Sequence, residues 1–95
     1  MKKFVFLTYG FEQPTPEIME AWGKWMASIK DNIVEMGHMS GGREISKGGT
    51  TDLPMDIDAI TGCMIVNADS HDDAMKMAES NPFITSIRVY EWMQH

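Results

Sequence analysis

The strand-like segments of this chain are apolar on both sides, and any fold it adopts must hide or pair both. Successive side chains of a strand point to opposite faces. Residues 3–9 therefore put Phe4, Phe6 and Thr8 on one side and Val5, Leu7 and Tyr9 on the other. Residues 59–67 offer Ile60, Met64 and Val66 against Cys63 and Ile65, and residues 84–93 offer Ile87, Val89 and Met93 against Tyr90 and Trp92. A sheet with one wet face would alternate apolar with polar instead.

Two helices separate these strands. Thr15-Pro16-Glu17 is a helix start, with a capping hydroxyl, proline at the first helical position and an acid in the first turn. Ile18, Trp22, Trp25, Ile29, Ile33 and Met36 then recur at steps of three or four, which predicts one amphipathic helix over residues 16–36. Gly37 would cap it. Residues 38–46 can form a strand in which Gly41-Gly42 marks a bulge or a close approach. Residues 47–58 read as a loop, long for its domain. Ser70 with Asp73 opens a second helix, which Asn81-Pro82 stops.

The resulting order is β-α-β-β-α-β in a single domain spanning residues 1–95: a ferredoxin-like α+β fold, with a four-stranded antiparallel sheet carrying both helices on one face. Two helices cover one face only, and monomers rarely leave a large apolar patch open. A homodimer through the free sheet face, forming a dimeric α+β barrel, is the expectation.

Charge and targeting patterns narrow the partners. The chain carries 8 Lys+Arg against 14 Asp+Glu, a net charge of −6, so a nucleic-acid partner is not expected. The apolar run near the start ends at Thr8-Tyr9-Gly10, too short for a secretory signal, and no segment approaches a membrane span. A lone cysteine, Cys63, suits a reducing compartment. A cytoplasmic protein with no membrane partner is therefore expected.

The stretch Glu17-x-x-x-Ala21-Trp22-x-x-Trp25, then Gly37 and Gly41-Gly42, then Val66-x-Ala68-Asp69-Ser70-x-x-Asp73-Ala74 and Pro82, resembles the YCII-related family. Tyr9-Gly10 and Ile87-Arg88-Val89 are also similar to members of it. The resemblance implies a dimeric α+β barrel. Many relatives carry an Asp-Gly-Pro-Phe signature before the third strand; residues 52–58 here lack it. Some members use a His–Asp pair with the histidine on the first helix, and one branch is implicated in dehydrochlorination. The first helix here has no histidine, so no catalytic residue transfers by position.

Several side chains offer chemistry. His38, after Gly37, is a candidate general base, since imidazole gains and loses its proton near neutral pH; the alternative is a histidine serving a helix C-terminus. Arg43 could hold a carboxylate or phenolate through its planar fork, or simply pair with a nearby acid. Tyr9, Trp22 and Trp25, with Met26, could line a pocket for a flat ligand, or pack against the sheet. Counting from Asp56, the calcium-loop glycine and glutamate positions hold Thr61 and Asn67, so that pattern fails. No zinc spacing, phosphate loop or nucleophile elbow is present, and neither metal nor cofactor is expected. These features suggest a homodimer binding or converting a small aromatic or carboxylated metabolite in a partly apolar cavity. A non-catalytic ligand-sensing or assembly module is the alternative. An open cavity favours a ligand; one filled with Trp and Met favours the module.

Overall fold

The computed structural model describes residues 1–93. Strand β1 (Lys2–Tyr9) leads to helix α1 (Pro16–Ile29), a 3₁₀ turn (Lys30–Asn32) and β2 (Ile33–His38). A small hairpin follows, β3 (Arg43–Ser46) with β4 (Gly49–Asp52), and then β5 (Ile60–Ala68), α2 (His71–Glu79) and β6 (Ser86–Glu91). The main sheet has the order β2-β5-β1-β6, with every neighbour antiparallel. This is the ferredoxin-like arrangement, with a hairpin inserted between its second and third strands.

Three expectations change. The first helix ends at Ile29 rather than near Met36. Ile33 and Met36 keep a helical phase, but the Asp31-Asn32 pair supports helix poorly and Ile33-Val34 is β-branched. The Asn32 Nδ2 instead donates to the Asn67 carbonyl at 2.8 Å, and residues 33–38 pair with β5. Second, residues 38–46 do not make one strand. Gly41 adopts φ 64, a left-handed conformation that turns the chain, and Arg43–Ser46 joins the separate hairpin. Third, residues 47–58 are not all loop, because Gly49–Asp52 is the hairpin's second strand.

The core lies between the sheet and the helices. Phe4 and Phe6 of β1 and Val66 of β5 are fully buried. Helix α2 presents Ala74 and Ala78, small enough for its backbone to settle on β5, β6 and β1. Helix α1 presents Trp25 and Ile29, with Trp22 and Met26 alongside, and its backbone stands farther from the sheet. The opposite sheet face has no helix over it. There Val5, Leu7, Cys63 and Ile65 are half-buried by their neighbours, and Tyr90 is 52% exposed. No helix among the described residues is long and apolar enough to cross a membrane.

Candidate functional site

The standoff of α1 creates the site. The Thr15 hydroxyl accepts from Ile18 N–H at 3.2 Å, and Pro16 begins the first turn, so the helix starts in a defined place. From that start Ile18, Trp22, Trp25 and Met26 face the sheet at helical spacing. The Trp25 indole Nε1 donates to the Met77 carbonyl of α2 at 2.8 Å, and its ring meets Trp22 edge to face at 5.7 Å. These contacts tie α1 to α2 and leave a cavity of about 590 Å³ between α1, the sheet and the loop carrying Met55. That volume falls within the roughly 300–1,000 Å³ of small-molecule sites.

The floor is made by β1, β2 and β5. Phe6 and Thr8 come from the helix-facing side of β1, and Met36 lies opposite Met64 across the β2–β5 pair. Two residues along, His38 lies opposite Gly62. A Cβ at Gly62 would collide with the Thr8 hydroxyl, so the floor requires glycine there or a displaced Thr8. After β1 the chain turns at Gly10, whose φ of 109 few other residues adopt, before Phe11 and Glu12 reach the lining. Gly10 N–H donates to Ala59 O at 2.7 Å, Phe11 N–H to Asp56 O at 2.8 Å, and the Thr61 hydroxyl to Gly10 O at 3.0 Å.

The five residues singled out from the sequence do not converge. Trp22, Trp25 and His38 line the cavity; Trp25 is buried and His38 is exposed at its edge. Tyr9 lies outside the lining, and the Arg88 guanidinium sits 4.6 Å from its ring centroid. On a strand paired with β6, Leu7 faces Arg88, so this stacked pair belongs to the uncovered sheet face. Arg43 is on the hairpin, largely exposed, with its Nε 3.3 Å from Asp52 Oδ1. It too lies outside the lining. Among the described residues no Lys or Arg lines the cavity, and Glu12 is the one carboxylate that does. Among the described residues, no three His, Cys, Asp or Glu side chains gather into a group that could hold a metal ion.

Asn81 also belongs to the lining. Asn81 is 5% exposed, and neither its Oδ1 nor its Nδ2 meets a hydrogen-bond partner among the described residues. In the sequence it reads as a helix stop before Pro82. The available signal was its phase: Ala74, Ala78 and Asn81 follow one another at helical steps, so a polar residue continues an inward stripe. The methionines gather here as well. Six of the ten (Met19, Met26, Met36, Met39, Met55 and Met64) line this one cavity.

No protein-family model matches the chain, and no curated protein matches it in sequence. Solved structures do match in shape. One is 5-chloro-2-hydroxyhydroquinone dehydrochlorinase from Burkholderia phenoliruptrix AC1100, solved in complex with 2,5-dihydroxybenzoquinone. It superposes with a TM-score of 0.62 over 98% of this chain and 95% of that one, at 16% sequence identity. The two chains share a fold. That likeness agrees with the ferredoxin-like α+β architecture derived above, and at this identity it extends to architecture alone.

Proposed function

We propose that this chain is a YCII-related protein, a cytoplasmic homodimer of the α+β barrel type, that binds or converts a small aromatic or carboxylated metabolite in the cavity beneath α1. The observation that carries the reading is the cavity itself: about 590 Å³ of space walled by Trp and Met rather than filled by them. Flat aromatic walls and pliable thioethers accept flat ligands. The structural neighbour is named for its action on a chlorinated hydroxyhydroquinone, a small flat ring of this kind. Among the described residues His38 is the one imidazole on the lining, and it would take or give the proton in any reaction there. Trp22 and Trp25 would hold the ring. Tyr9, stacked with Arg88, fits the dimer face better than the ligand site, and Arg43 with Asp52 fits the hairpin surface.

Thermal unfolding against a panel of hydroxylated and carboxylated aromatic compounds tests the binding. A ligand at 100 times its dissociation constant stabilises the native state by about 2.7 kcal/mol. In a domain of this size that raises the melting temperature by roughly 10–20 °C. If no compound moves the transition, the cavity is not a ligand site. For any compound that is turned over, loss of turnover in His38→Ala supports the role of His38, and unchanged turnover removes it.

A further inference from the structure

One row across the sheet forms a polar end to the cavity. Thr8 of β1 pairs with Gly62 of β5, and Gly62 pairs with His38 of β2. Paired residues point to one face, so Thr8 and His38 both stand on the lining with no side chain between them. Two strand spacings separate their backbones by roughly 9–10 Å. The Thr8 hydroxyl leans into that gap over Gly62, where a Cβ would meet it. Thr8 is 9% exposed, and its hydroxyl is open to the cavity with no hydrogen-bond partner among the described residues. The other polar groups of the lining are occupied or lie apart. The Thr61 hydroxyl donates to Gly10 O, the Asn81 carboxamide is shut off from the space, and Glu12 and Ser40 are exposed at its edge. A buried hydroxyl without a hydrogen bond is unfavourable, and native proteins leave few of them so.

From this row we infer that Thr8 selects the ligand, a neutral ring bearing a hydroxyl whose oxygen sits over Gly62 between Thr8 and His38. The ring hydroxyl accepts from the Thr8 O–H and donates to the unprotonated nitrogen of the His38 imidazole. One phenolic oxygen supplies both capacities, and the missing side chain at Gly62 leaves room for it. The remainder of the ring lies against the Trp and Met walls. A ring without oxygen leaves Thr8 unpaired, and an ether oxygen accepts but donates nothing. An anion meets no Lys or Arg on the lining among the described residues, so the site disfavours it. This names the ligand class of the cavity read above and rests on that reading.

The test uses p-cresol, 4-methylanisole and toluene as probes, with calorimetry for affinity to wild type, Thr8→Val and Thr8→Ser. Wild-type protein binds p-cresol roughly tenfold or more tightly than toluene, with 4-methylanisole weaker than p-cresol. Thr8→Val removes the hydroxyl and keeps the branched shape; it retains toluene binding and lowers the p-cresol-to-toluene preference by roughly tenfold. Thr8→Ser keeps the hydroxyl and the preference. If none of the rings binds wild-type protein, the cavity reading falls and this inference with it. If the rings bind and Thr8→Val preserves the preference, the role of Thr8 is overturned while the cavity stands. A preference lost equally in Thr8→Ser assigns it to side-chain shape and overturns the hydroxyl's part. 4-Methylanisole binding as tightly as p-cresol overturns the ring hydroxyl as the group recognised. Should the variants fail to fold, wild-type protein carrying ¹³C-methyl threonine decides: bound p-cresol gives ring-to-methyl contacts to Thr8, and bound p-cresol without them overturns the inference.

Discussion

Replacing Asn81 by leucine should make this protein more stable. The two side chains are close in size, and Asn81 is 5% exposed with neither polar atom partnered by the protein. An unmade buried hydrogen bond costs about 1–3 kcal/mol, and burying a leucine contributes about 1.5–3 kcal/mol more. Imperfect packing of the leucine loses part of the second. A net gain of about 2 kcal/mol follows, equivalent to a rise of roughly 8–16 °C in melting temperature for a domain this small. The contrasting position is Asn32, whose Nδ2 donates to the Asn67 carbonyl at 2.8 Å where β2 begins. Asn32→Leu removes a bond that is made and should cost about 1 kcal/mol. Urea titration monitored by tryptophan fluorescence separates the two variants. Asn81→Leu moves the midpoint up and Asn32→Leu moves it down, both at unchanged slope. A midpoint for Asn81→Leu at or below wild type would refute the reasoning, because the carboxamide would then be satisfied within the folded protein.

Two further outcomes follow from the fold. Gly10→Ala forces a side chain onto φ 109 and brings its Cβ to 2.8 Å from Ile84 Cβ and 2.9 Å from the Thr85 backbone nitrogen; a loss of about 3 kcal/mol is expected by urea unfolding. Gly23→Ala, in the interior of α1 with open space around it, should instead add about 0.5–1 kcal/mol in the same assay. Leu7→Glu places a carboxylate in the middle of the uncovered sheet face, opposite Cys63. Light scattering should show a dimer for wild type and a folded monomer for Leu7→Glu; an unchanged mass would mean the copies meet elsewhere.

What could be read without the structure was mostly local. Thr15-Pro16 and Ser70 mark their helix starts because a capping hydroxyl acts within three residues, on Ile18 N–H and Asp73 N–H respectively. The two-sided apolar strands were legible because alternation is a property of the strand itself. The end of α1 was not, because Ile33 and Met36 sit in helical phase and the competing partner, β5, lies some thirty residues away in sequence. The hairpin was masked by its glycines: Lys47-Gly48 forms a two-residue turn between Ser46 and Gly49, within a stretch whose composition resembles loop. The same division holds for the site. His38, Trp22 and Trp25 were visible by residue type, whereas Arg43 was displaced by the hairpin, and alternation separates Tyr9 from Phe6 and Thr8 without saying which of the two faces the helices cover. Asn81 beside Pro82 reads as a stop signal, because its burial depends on contacts beyond its own segment.

Methionine methyl groups give the most direct view of the cavity. Six of the ten methionines line it, whereas Met1, Met75, Met77 and Met93 do not. In protein carrying ¹³C-methyl methionine, titration with catechol should shift the resonances of Met26, Met36, Met55 and Met64, with ring-to-methyl contacts to them, and leave Met1, Met75 and Met93 in place. Ring contacts confined to the outer methionines, or no shift at saturating catechol, would contradict a ligand site beneath α1.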